Sequence, residues 1–113
     1  MMATAADLRR LAMSLDGVEE KPHFDRAAFR ARKIFVTLAA DGLTANFAFS
    51  PDEQALKCTV LPKVFAPLPN TWGQRGWTVG TLARMSKEDL AAALETAWRH
   101  AVAPPLKRKP RKA

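Results

Sequence analysis

Two histidines, one cysteine and a handful of carboxylates are the residues that could do covalent or metal chemistry. His23, His100 and Cys58 lie far apart along the chain. No pair has the spacing of a metal site such as C-x-x-C or H-x-x-x-H. Nucleophilic catalysis by Cys58 needs a histidine brought beside it by the fold, and nothing local does so. Its place near the end of an amphipathic segment fits a small packed hydrophobe. Glu19, Glu20 and Asp25 are interleaved with Lys21 and Arg26, the pattern of a solvated surface rather than of a general-acid pair. The glycines of WGQRGWTVG, residues 72–80, lack the following Lys-Ser/Thr of a phosphate loop. These readings give no enzyme, no metal and no cofactor. What remains is binding chemistry: cations, amides and tryptophans.

The cations divide into two sets. The net charge is +7, but Lys107, Arg108, Lys109, Arg111 and Lys112 supply five of those charges. Residues 1–103 are therefore nearly neutral, and residues 104–113 read as a disordered basic tail broken by proline. Such a tail holds phosphate through counterion release or simply keeps a protein dissolved. In the body, Lys21, His23, Arg30, Arg32 and Lys33 cluster around short extended runs. Alternation puts Lys21, His23, Arg30, Arg32, Thr44 and Asn46 on one side of a sheet. The segment PNTWGQRGWT adds Trp72, Arg75 and Trp77, with Arg75 at the tip of a tight turn between Gly73 and Gly76. Together they could bind phosphate, nucleobases or an acidic partner. Equally they could be the wet side of an ordinary antiparallel sheet, and the small body charge favours that plainer reading.

The elements that must position these residues are legible from caps and periodicity. Thr4 with Asp7, Ser50 with Pro51 and Glu53, and Ser86 with Asp89 each mark a helix start. Leu8, Leu11, Ala12 and Leu15 form the apolar stripe of the first helix, and Leu90, Leu94, Ala97, Trp98 and Ala101 that of the last. Between them Val18–Phe24, Ala27–Arg32, Lys33–Ala39 and Leu43–Phe49 alternate as strands, with Asp41-Gly42 as a hairpin turn. Pro22 makes the first an edge strand. On one face the pattern gathers Ala27, Phe29, Ala31, Ile34, Val36, Leu38, Leu43, Ala45, Phe47 and Phe49. Trp77–Leu82 reads as a last strand. The fold class is α+β: a two-layer sandwich, an antiparallel sheet with helices on one face, order α-β-β-β-β-α-β-α. One domain spans residues 1–103. The lone cysteine, and the lack of an apolar run long enough for a membrane span or signal peptide, point to the cytoplasm.

The stretches LDGVEEKPHF, AFRARKIFVTL, LTANFAFSPDEQ, PNTWGQRGWT and ALETAWRHA resemble the MmcQ/YjbR-like proteins of bacteria. The most specific parts are Lys33-Ile34-Phe35 and the W-G-x-x-G-W block; where the family usually has glycine before that lysine, this chain has Arg32. The resemblance implies the same order of elements, and a non-enzymatic DNA-binding protein of double-wing type. That implication agrees with the arginine-bearing sheet face and the basic tail, which together rank nucleic-acid binding first, with DNA as the partner. A module for a small anion or a protein partner is second and an enzyme third. The site residues are then Lys21, His23, Arg30, Arg32, Lys33, Asn46, Trp72, Arg75, Trp77 and the tail's Lys107, Arg108 and Lys109.

Overall fold

The computed structural model describes residues 2–103. The basic tail, with Lys107, Arg108 and Lys109, lies outside the described residues. Helix α1 (Ala5–Met13) is followed by strands β1 (Glu19–His23), β2 (Arg26–Ala31), β3 (Lys33–Leu38) and β4 (Thr44–Ala48). Then come α2 (Pro51–Val60), β5 (Phe65–Pro67), a one-turn helix α3 (Thr71–Gln74), β6 (Trp77–Thr81), a 3-10 turn and α4 (Lys87–Val102). The strands form one antiparallel sheet in the order β1-β2-β3-β4-β6-β5. The fold is therefore the α+β arrangement that the patterning predicts, with β5 and α3 in addition. All three capping boxes are made, each with its serine or threonine oxygen accepting the third residue's amide. Each satisfies two amides that the helix start would otherwise leave unpaired, a gain of about 1 kcal/mol per cap.

Helix α4 lies across β2, β3 and β4, and α1 packs beside it. Between them and the sheet sit Phe29, Val36, Phe47, Leu90 and Leu94, all essentially excluded from solvent. Each contributes about 1.5–3 kcal/mol by leaving water. Phe47, Phe49 and Phe65 pack as a trio with ring centroids 5.7–5.9 Å apart. Helix α2 closes the β5–β6 end of the sheet. Trp98 donates its indole N–H to the Asp16 carbonyl at 3.0 Å, pinning α4 to the loop after α1.

Two departures from strict alternation shape the other face. Phe29 pairs with Val36 while Arg30 pairs with Ile34, so Phe35 is an extra residue in β3. This bulge sends the Phe35 ring into the core and turns Ile34 to the opposite face, beside Arg30. The expected alignment of Ile34 with Val36 and Leu38 fails for that reason. Leu43, expected inside, precedes β4 and is 61% exposed.

Candidate binding cleft

The face of the sheet turned away from α1 and α4 is concave. Its floor follows from strand register. Lys21 stands opposite Ala28, His23 opposite Arg26, Ala28 opposite Thr37, and Thr37 opposite Asn46. The row continues from Asn46 to Val79, and Trp77 stands on the same face two residues away, opposite Ala48. A cleft of about 760 Å³ occupies this surface. It brings together seven of the residues singled out in the sequence: His23, Arg30, Arg32, Lys33, Asn46, Trp72 and Trp77. Lys21 shares the face but does not line the cleft; its ammonium sits 3.8 Å from Glu19. Arg75 also stays outside the lining, with its guanidinium 5.4 Å from the centre of the Trp72 ring.

Sequence patterning misses Arg26, Thr37, Ile34, Leu68 and Phe24, all of which line the cleft. Arg26 is the most informative omission. Its Nε donates to Thr37 Oγ1 at 2.8 Å and its terminal nitrogen donates to the Thr37 carbonyl at 3.2 Å. The guanidinium is thereby fixed against the floor, with N–H groups to spare for a ligand. Arg30 is steadied by donating from Nε to the Arg32 carbonyl at 3.3 Å. Among the described residues, Arg26, Arg30, Arg32 and Lys33 form no salt bridge, and no carboxylate lines the cleft. Four cations are thus concentrated on one concave surface of a body whose charges elsewhere nearly cancel. A recess walled by low-dielectric protein focuses such a field toward an anion.

The tryptophan wall is built by WGQRGW. Asn70 accepts the Trp72 amide and starts the single turn of α3. A side chain on Gly73 would overlap the Leu68 carbonyl, and one on Gly76 the Phe49 carbonyl. Both glycines are therefore demanded by close backbone approach; Gly76 also holds a φ of +111°. Gln54 of α2 donates to the carbonyls of Gly73 at 2.9 Å and Trp77 at 3.0 Å, clamping the segment from behind. Trp72 and Trp77 meet edge to face with centroids 6.4 Å apart. Trp77 is half-buried, whereas Trp72 is 54% exposed. The segment is consequently both a braced turn and a presented aromatic surface.

The residues with potential for covalent chemistry do not converge. Cys58 packs partly buried against the core, and burial pushes its thiol up, away from the reactive thiolate. His100 is on α4, behind the sheet, while His23 is at the cleft. Among the described residues no group of three His, Cys, Asp or Glu side chains could hold a metal ion. Nor is any helix long and apolar enough to cross a membrane.

Comparison with known proteins adds two findings. The YjbR family model matches residues 13–100. A crystal structure of the Deinococcus radiodurans protein DR2400, assigned to domain DUF419, is similar with a TM-score of 0.75. The likeness covers 95% of this chain and 84% of that one at 18% sequence identity, and so concerns the fold. No curated protein matches the sequence.

Proposed function

The chain belongs to the YjbR family, and on that footing we propose that it is a non-enzymatic nucleic-acid-binding protein whose contact surface is the sheet-face cleft. The observation that carries the reading is the convergence of Arg26, Arg30, Arg32 and Lys33 with Trp72 and Trp77 in one recess. Cations without carboxylate partners suit phosphate, and the exposed Trp72 ring suits the face of a base. The bidentate anchoring of Arg26 on Thr37 gives one of those cations a fixed direction. DNA is the partner the family resemblance suggests. The concavity favours a strand whose bases can enter the recess over the convex outside of a duplex. The tail cations Lys107, Arg108 and Lys109 enter through charge alone, as non-specific contacts with phosphate.

A second reading is favoured by the cleft's size. About 760 Å³ falls within the range of about 300–1,000 Å³ typical of small-ligand sites. A small phosphorylated or carboxylated aromatic compound would satisfy the same groups.

A salt titration separates the two. Affinity for a single-stranded oligonucleotide should fall with a log-log slope of about 0.7 per neutralised phosphate, so four cleft cations contribute up to about 3. Replacing Arg30 and Lys33 with alanine should remove about 1.4 from that slope whether or not residues 104–113 are present. A slope that disappears entirely on truncation at Pro104 would assign all binding to the tail and defeat the proposal. Full competition by a mononucleotide, with no gain from added strand length, would favour the small ligand.

A further inference from the structure

Phe24 is the least comfortable residue in the structure. It is the first of the two residues joining His23 to its partner Arg26 at the tip of the β1–β2 hairpin. Its φ is +60°, in the left-handed region, where a two-residue hairpin of primed geometry takes glycine or asparagine and a bulky side chain is strained. Its ring is also 93% exposed, the most exposed of the large hydrophobic side chains among the described residues. Among the described residues the only aromatic neighbour it touches is the His23 ring, edge-on at 4.8 Å. A glycine here would relieve the backbone and a polar residue would suit the water. Phenylalanine gains neither, and folding offers no compensation for it. Strain of this kind survives where it serves binding.

The position of the ring identifies the occupant. Phe24 lines the same cleft as the four cations and stands at its rim. The Trp72 ring, half exposed, belongs to the same lining. A planar group carrying phosphate would meet cations on the floor and an aromatic ring at the rim. Resting on the nucleic-acid reading above, we infer that the His23–Phe24 tip is a stacking clamp for one unpaired base of a single strand, whose adjoining phosphates lie on Arg26, Arg30 and Lys33. An unpaired base offers a free π-face, which a base inside a duplex does not.

The test is a cycle between ring and base in the full-length protein. The probes are a short single-stranded oligonucleotide and an abasic strand of the same length that carries no base at any position. Stacking on an aromatic side chain changes affinity by about fivefold to about a hundredfold per base. Phe24→Ala and Phe24→Gly should each weaken binding of the intact strand by a factor in that range. They should leave the affinity for the abasic strand unchanged, and Phe24→Trp should restore binding of the intact strand. Phe24→Gly should also raise Tm, by up to about 8 °C, because it removes the left-handed strain. An equal loss on both strands, or no loss on either, overturns the clamp while leaving the cleft cations as the binding surface. If wild-type protein binds neither strand, the nucleic-acid reading itself falls. An exposed phenylalanine beside cations could instead enter a membrane surface. Loss of binding to phosphatidylglycerol vesicles in Phe24→Ala, with oligonucleotide affinity intact, would establish that alternative and refute the clamp.

Discussion

Alanine at Gly76 should destabilise the fold far more than alanine at Gly17. Both glycines hold a positive φ, +111° and +75° respectively, so both substitutions add backbone strain. For a left-handed residue that strain is about 1–2 kcal/mol, partly offset by about 0.4–1 kcal/mol from the stiffer unfolded chain. Gly17 has open space where a Cβ would go, so its net loss should be about 1 kcal/mol. At Gly76 the added Cβ would overlap the Phe49 carbonyl oxygen, lying 2.8 Å from that carbonyl's carbon and 2.9 Å from that of Ser50. These are backbone atoms between β4 and the cap of α2, and no rotamer change can move them aside. Relieving the clash requires shifting the Ser50 cap or the Trp77 strand, which puts the total above about 3 kcal/mol. Urea titration followed by tryptophan fluorescence measures both losses. Equal losses at the two positions would refute the claim that WGQRGW is held by backbone contact.

Three other outcomes follow from the same geometry. Trp77→Ala should cost about 2–4 kcal/mol, Trp72→Ala about 1 and Arg75→Ala less than about 0.5, as read by thermal melts; a Trp72 loss equal to that of Trp77 would contradict their difference in burial. Gln54→Leu removes both donors to the Gly73 and Trp77 carbonyls and should cost about 1–3 kcal/mol, with faster hydrogen exchange in α3 as its signature. Arg32→Gly relieves a φ of +66° and should hold or raise stability by up to about 1 kcal/mol, while lowering the salt slope of oligonucleotide binding by about 0.7. A clear drop in stability there would mean that the arginine side chain is held by contacts that outweigh its strain.

The parts of the fold written in local chemistry are the parts legible in the sequence. Helix starts follow from Thr4, Ser50 and Ser86, because a cap is a bond between residues three apart. Arg30 and Asn46 fall on the correct face because they sit within β2 and β4, where successive side chains point to opposite faces; Arg32 reaches the cleft from the left-handed turn between β2 and β3, not by alternation. Ile34 and Phe35 are misplaced because a bulge is set by the partner strand and leaves no mark on β3 alone. Strand β5 has three residues and ends in proline, too short for a pattern to show. Arg26 and Phe24 escape notice for a related reason: their hairpin turn has no glycine or asparagine, so the break reads as falling between Phe24 and Ala27 and not between His23 and Arg26, where the pairing sets it. The bond from Arg26 to Thr37 joins two strands and needs their register to be known.

Amide and indole chemical-shift mapping with a short single-stranded oligonucleotide tests the central claim most directly. The cleft account predicts coordinated shifts at Arg26, Arg30, Lys33, Thr37 and Asn46, with movement of the Trp72 and Trp77 indole N–H signals, and little change in α1 or α4. Shifts confined to residues 104–113, or to the helical layer, would contradict it.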